Sequence, residues 1–365
     1  MKVNIAASHR FHLLDLAREL SRQGHDVRFY SYIPAWRCQV FGLDRWLCCS
    51  MLWLVWPFFL CAKIAPHSWQ ADIVWHRNRL MDWWVARTMR RCDVFIGLGS
   101  VYLEAFERAK AQGATTILEW GSKHILEELA RQGKADQYPQ RSLDRELRGY
   151  EMADYIAIPS EHVKESFLKH GVSETKLLIN PYGVDLSQFH PTECTGEFDL
   201  IMVGGWSYRK GCDLLVQLCS QYGYRLLHVG SLVDLPFPDV PNMMHHEAVD
   251  QMELVDYYAR ARVFVLPSRT EGLALVQAQA VACGLPVVCS AETGGRDLRR
   301  ELGNTAWILE MPDLSLCALH TSVKQALRVA QGQTGIRNYA GQQIEQLSWK
   351  AYGERYSHSL DKIWQ

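Results

Sequence analysis

Short apolar runs rich in branched residues alternate along most of the chain with segments apolar on one face only. Lys2–Ala7 reads as a buried strand, Phe11–Gln23 as an amphipathic helix ending at Gly24-His25, and Asp26–Tyr32 as the next strand. Asp93–Leu98 and Thr115–Glu119 are further strands, with the helix Val101–Gln112 between them. Glu151–Ser160 reads as a helix end, a strand and a helix cap, followed by the helix Glu161–His170 and the strand Lys176–Asn180. Thr192–Glu197, polar and holding Gly196, interrupts the pattern as a linker would. A second series starts at Phe198: strand Asp199–Val203, helix Cys212–Gln221, strand Arg225–Val229, helix Met252–Ala261, strand Val263–Leu266. Apolar strands separated by helices predict parallel sheets. Two such series predict an α/β protein of two Rossmann-like, doubly wound halves facing across a cleft. The expected division is 1–191, a linker at 192–197, a second domain at 198–340, and a terminal segment 341–365 with a helical pattern over Gln343–Ile363.

A length of 365 residues suits two domains, each large enough for its own core. With 48% apolar and 22% charged residues and a net charge of −1, nothing calls for nucleic acid as a partner. The 11 cysteines are scattered without a Cys-x-x-Cys pair, as free thiols of a reducing compartment would be. The chain opens directly on a strand, so the expected location is cytoplasmic. One stretch departs from the pattern. Trp46–Ala62 has no charged side chain, holds Trp46, Trp53 and Trp56, is interrupted by Pro57, and is flanked by Arg45 and Lys63. Seventeen residues sit at the lower limit for a span, so these features favour contact with an interface. His76–Arg91 sets Arg77, Arg79, Arg87, Arg90 and Arg91 around Trp83-Trp84. That composition suits an anionic membrane surface, and equally a core helix with a solvated arginine face.

The candidate chemistry lies in the second series. Val263–Val288 reads as strand, loop, helix, turn and strand, with Glu271-Gly272 entering the helix Ala274–Cys283 and Gly284-Leu-Pro286 closing it. In an open α/β sheet such a loop stands at the carboxyl edge, where exposed N–H groups and the helix dipole suit a diphosphate. Glu271 and Gln279 are eight positions apart, about 12 Å along a helix, which spans an extended ligand and not one reacting bond. Arg209-Lys210-Gly211 also follows a strand and opens a helix, so two cations converge on the same edge. No Ser or Thr follows Lys210, which excludes a Walker loop. Gly97-Leu-Gly99 lacks the third glycine of a dinucleotide site, Tyr102 standing there. No Asp-x-Asp pair ends a strand, so neither a metal nor another cofactor is expected.

The stretch resembles the nucleotide-sugar signature of the retaining glycosyltransferases of family 4, in the form Glu-Gly-hydrophobic-Gly-Leu followed by Glu-Ala-Met-Ala-x-Gly-x-Pro-Val. Glu271, Gly272, Gly284, Pro286 and Val287 match it; Ala274 replaces a Gly, and Gln279 replaces the second Glu. Pro181-Tyr-Gly-Val-Asp185 with Phe189-His-Pro191 also resembles the family's approach to its interdomain linker. The resemblance implies a GT-B fold whose last helix returns to the first domain. It implies a metal-independent, retaining transfer of a sugar from a nucleotide-diphosphate sugar to a hydroxyl of a glycan or lipid-linked acceptor. On this view Glu271 meets the donor sugar, Lys210 and Arg209 face the diphosphate, and Gly205, Gly272, Leu273, Ala274, Leu275 and Gln279 line the donor site. Gln279 would meet the ribose hydroxyls as an uncharged amide. His124 is the first-domain candidate for the donor sugar. His9 and His12 occupy the place of a ligand loop, which is also the place of an ordinary helix start. The Trp-rich part of the acceptor-side half suggests a lipid-linked or glycolipid acceptor at the inner membrane face, as in surface polysaccharide or glycolipid assembly. The alternatives are an epimerase or phosphorylase on the same fold, or a nucleotide-sugar-binding protein without catalysis.

Overall fold

The computed structural model describes residues 1–133, 138–303, 307–331 and 343–363. Seven strands form the first sheet: β1 (Lys2–Ala6), β2 (Asp26–Ser31), β3 (Cys48–Ser50), β4 (Val94–Leu98), β5 (Thr115–Glu119), β6 (Tyr155–Ile158) and β7 (Leu177–Ile179). Their spatial order is β3-β2-β1-β4-β5-β6-β7. The second sheet holds β8 (Phe198–Val203), β9 (Leu226–Val229), β10 (Met243–His246), β11 (Ala261–Leu266), β12 (Val287–Cys289) and β13 (Ile308–Glu310), ordered β10-β9-β8-β11-β12-β13. Every pairing is parallel. In both sheets the order reverses beside the first strand, β1 against β4 and β8 against β11. Reversal splays the two following loops apart and leaves a crevice at the carboxyl edge. The expected pair of Rossmann-like domains is therefore the observed architecture.

The strands are buried on both faces, which is why they read as unbroken apolar runs; Val3, Ile5, Phe95, Ile117, Leu200, Val263 and Phe264 have no solvent exposure. Three short edge elements escape the sequence pattern. Met243-Met-His-His246 lacks branched residues, Ile308–Glu310 is three residues long, and β3 lies hidden inside the apolar stretch. That stretch is not one element. A 3-10 turn (Arg45–Leu47) leads into β3, and the helix Leu52–Ile64 follows with Pro57 inside it. The helical pattern at Met252–Ala261 also divides, into a 3-10 turn at Gln251–Glu253 and the helix Leu254–Ala259, because Ala261 already pairs with Phe198 in the sheet.

The terminal pattern breaks at Ser348, which bridges to Val184; a 3-10 turn (Ile344–Leu347) precedes it and the helix Trp349–Ile363 follows. This last helix lies against the helix Phe11–Arg22 of the first domain. Arg355 donates to Asn180 at 3.1 Å and to the Pro181 carbonyl at 2.9 Å, and Ser357 meets His25 at 2.8 Å. The 340/341 boundary lies outside the described residues. Among the described residues, no helix is long and apolar enough to cross a membrane.

Candidate active site in the interdomain cleft

The carboxyl edges of the two sheets face each other. After β8 the chain turns through Gly204-Gly205 and Arg209-Lys210 to Gly211, which has φ +73°; a Cβ there would stand 2.1 Å from the Pro267 carbonyl oxygen. Glycine thus lets the loop after β8 press against the loop after β11. The contact brings the predicted charges together. Lys210 Nζ lies 2.6 Å and Arg209 Nη1 2.8 Å from the same Glu271 oxygen, Oε1, and Ser268 Oγ donates to it at 3.3 Å. Arg209 also donates to the Thr270 carbonyl at 2.9 Å. Two cations on one carboxylate leave positive charge in excess, open to an anion entering the crevice. The helix Leu275–Ala282 begins beside this cluster; Ala274 at its N-cap supplies no side-chain acceptor and its carbonyl takes the Gln277 N–H at 3.0 Å, which leaves the Leu275 and Val276 N–H groups to face a ligand.

A cleft of about 550 Å³ runs between the domains. From the second domain it takes Gln251, Leu275 and Gln279; from the first, Arg10, His12, Glu119 and Trp120 among others. Gln279 is largely buried, and its Oε1 accepts from the Tyr258 hydroxyl at 3.3 Å, which aims the amide from its rear. Gly205 stands in the loop after β8, beside Val233, and Leu273 is buried beneath the Glu271 loop.

The first domain grips the loop that carries Glu271. Ser160 Oγ donates to the Gly272 carbonyl at 2.8 Å, and the His162 imidazole Nε2–H donates to the Glu271 carbonyl at 2.9 Å. Thr270 Oγ1 donates to Glu128 at 3.0 Å. Lys123 pairs with Glu292, which Arg131 also reaches at 3.3 Å. A Cβ on Gly272 would come within 1.7 Å of the Gly121 carbonyl oxygen, so only glycine permits the two backbones to meet here. Ser160, read from sequence as a helix cap, makes no capping bond to the helix Glu161–Lys169. Asp297 of the second domain caps that helix, accepting from the Glu161 N–H at 3.1 Å. The hydroxyl and the cap are exchanged between domains, which sequence proximity could not show. Burial pushes His162 down to about 4 and keeps it neutral, and burial pushes Asp297 up to about 6.

His124 does not join the cluster. It is buried in the first domain, its ring stacked on His170 at 4.4 Å and packed against Tyr150 and Phe167, and its Nδ1 caps the helix Ile125–Gln132. Burial lowers its pKa to about 4. A ring enclosed by aromatic neighbours is a packing element. His12 occupies the position expected of a cleft histidine, donating from Nε2 to Glu119 Oε2 at 2.9 Å and stacking on Tyr182. Glu119 was legible only as the last residue of a buried strand; a carboxylate there, ahead of Trp-Gly-Ser, was the available signal. His9 lies further out, held by Ser8 at 2.8 Å.

Residues 197–326 match the family described as Glycosyl transferases group 1. The chain carries a glycosyl transferases group 1 domain. A D-inositol 3-phosphate glycosyltransferase of Xylanimonas cellulosilytica is 28% identical over 171 residues, 39% of this chain and 41% of that protein. The sulfoquinovosyl transferase SQD2 of Arabidopsis thaliana is 33% identical over 234 residues, 57% of this chain and 45% of that protein. The chain thus matches less than half the length of either relative. The structure of Alr3699/HepE of Anabaena with UDP and glucose superposes with a TM-score of 0.62 at 12% identity, covering 99% of this chain and 100% of that one. The shared architecture is GT-B. Gly205, Arg209, Lys210, Glu271–Leu275 and Gln279 all belong to the group 1 domain. His12, Glu119, Ser160 and His162, which face or hold it, come from outside.

Proposed function

We propose that the chain is a retaining glycosyltransferase of family 4 type, moving a sugar from a nucleotide-diphosphate sugar to a hydroxyl of a glycan or lipid-linked acceptor. The observation that carries this reading is the convergence of Lys210 and Arg209 on Glu271 at the carboxyl edge of the second sheet, under a grip from the first domain. Donor cleavage leaves a diphosphate. Arg209, Lys210 and the N–H groups of Leu275 and Val276 are the donors assigned to its growing charge. Gln279, held by Tyr258, is assigned the ribose hydroxyls. Glu271, once a diphosphate draws the two cations, is free to accept hydrogen bonds from the sugar. In a same-face transfer the departing phosphate oxygen takes the proton of the incoming hydroxyl, so the route asks for charge placement and closure and for no protein nucleophile.

The matched relatives named for transfer to an inositol phosphate and for sulfoquinovosyl transfer, and the neighbour solved with UDP and glucose, support this class of donor and acceptor. The exposed tryptophans Trp53 and Trp56 support contact with a membrane surface, and on this reading the reaction is assigned to the inner membrane face in glycolipid or surface polysaccharide assembly. The arginines of His76–Arg91 contribute less to such contact than their number suggests. Arg79 is paired with Glu104 at 2.5 Å, Arg87 lies 3.7 Å from the same carboxylate, and Arg90 pairs with Asp26 at 2.7 Å.

Thermal stabilisation across a panel of nucleotide sugars identifies the donor, because a ligand of the folded state raises Tm. With that donor, Glu271→Ala and Lys210→Ala should each lower transfer by about 10²–10³-fold while the melting transition persists. Full activity in both variants would sink the reading.

A further inference from the structure

A second cleft, of about 1160 Å³, opens off the first, and Arg10, Asp185 and Gln251 line both. Its inner end is polar. Its apolar lining includes Ile33, Trp36, Val40, Leu52 and Phe59 from the first domain and Met252 from the second, with Arg37 beside Trp36. Trp36 is 67% exposed, Val40 72% and Met252 71%, so the wall stands open to water. Leu52 and Phe59 belong to the helix Leu52–Ile64, of which only Val55 is fully buried. Trp53, Trp56, Leu60 and Ile64 of that helix face solvent, and Ile64 is 86% exposed. One short helix thus contributes to the groove and continues outward as an apolar face; of the exposed cations nearby, Lys63 lies in the helix itself, Arg45 in the segment before it and Arg37 in the lining of the groove. Hydrogen-bonding side chains line the groove too, among them Arg18, Asp185, Gln188 and Asp250, and suit a polar head group, whereas Val40, Ile33 and Leu52 have no bond to offer a saccharide. A hydrocarbon chain gains roughly 25 cal/mol for each Å² of such surface it covers.

We propose that this groove receives the hydrocarbon chain of an amphiphilic, bilayer-anchored acceptor and presents its head-group hydroxyl to the donor cleft. The proposal rests on the glycosyl-transfer reading and names the acceptor class for it. Arg10, shared by the two clefts and lying over the Phe41 ring at 3.8 Å, stands at the join between tail and head. Leu52 and Phe59 of the groove share one helix with the exposed Trp53 and Trp56, so a lipid anchored at that helix would enter there.

The test uses the full chain with n-decyl maltoside below its micelle concentration, maltose as the tail-less control, and equilibrium dialysis. The alkyl glycoside should bind at least about tenfold more tightly than maltose. Trp36→Ser with Val40→Asp, both at exposed positions that do not endanger folding, should lower that affinity about tenfold and leave nucleoside diphosphate binding unchanged. Trp53→Ser with Trp56→Ser, on the outer face, should retain it. Equal affinity for the two glycosides, or loss on the outer face in place of the groove, overturns the proposal alone when a nucleoside diphosphate still binds. Failure of every nucleoside diphosphate to bind overturns the donor reading and the proposal with it.

Discussion

The loop and helix around Glu271 and the helix Leu52–Ile64 are both apolar stretches, and they meet opposite fates. Around Glu271 the apolar residues go inward: Val263–Leu266, Leu273, Ala278, Val281 and Leu285 are buried, and the few polar groups are held by named partners. In Leu52–Ile64 the apolar residues stay outside, with Trp53 at 70% exposure. A buried apolar run supports a fold and positions its polar neighbours. An apolar run left in water at this density marks a surface for something else. The contrast separates residues that stabilise this protein from residues that give it a partner.

Stability should break most sharply along that line. Phe264→Ala, in the middle of β11 with no exposure, should cost about 3–5 kcal/mol, through lost burial and a residual cavity. Trp53→Ser should stay within about 0.5 kcal/mol, because the ring has little to lose on the folded surface. Urea denaturation of the two variants measures the difference; equal costs would mean the tryptophan face is packed in solution. Next in size is Gly272→Ala. The added methyl cannot coexist with the Gly121 carbonyl, so the domains cannot close on Glu271, and transfer should fall about a hundredfold while each domain stays folded. Unimpaired transfer would show that this contact is dispensable.

Ser160→Ala sharpens the picture further. It deletes one interdomain hydrogen bond, worth about 1 kcal/mol, and should lower kcat several-fold without changing affinity for a nucleoside diphosphate alone. A loss confined to nucleotide affinity would instead make Ser160 part of the donor pocket.

The smallest effect is that of pH on stability. His124, His162 and His228 are each lowered to about 4 by burial. Unfolded imidazoles take up protons below about 6.5 and the folded ones do not until about 4, so stability falls as pH falls through that interval. Asp297, raised to about 6, opposes this, because its folded carboxyl holds a proton before the unfolded one does. His9, His25 and His320 are lowered by burial too, and Asp15, Asp82 and Glu146 raised by it, but between pH 7 and 5 the protons taken up by the unfolded chain go chiefly to imidazoles, so a net decline is expected, read as a lower Tm at pH 5 than at pH 7. His124→Phe should flatten the decline, and an unchanged slope would mean that another group governs it.

Much of the second domain was legible in advance, since its chemistry is local. Arg209-Lys210-Gly211 and Glu271-Gly272 each follow a strand, and any parallel sheet delivers both to one edge. His124 shows where local reading fails. A histidine after a strand looks the same whether its ring enters the cleft or turns inward, and only the neighbouring Tyr150, Phe167 and His170 decide it. Ser160 shows the same in reverse: it stands at a helix start, yet its hydroxyl serves a carbonyl 112 positions away.

The sequence by itself determined the two parallel sheets and the charged cluster of the second domain, because burial periodicity and strand-end motifs are properties of neighbours along the chain. The tertiary structure alone decided which first-domain groups hold the Glu271 loop, which histidine faces the cleft, and which tryptophans remain in water. Those outcomes depend on contacts between residues dozens to more than a hundred positions apart, and no local pattern encodes the distance between two domains.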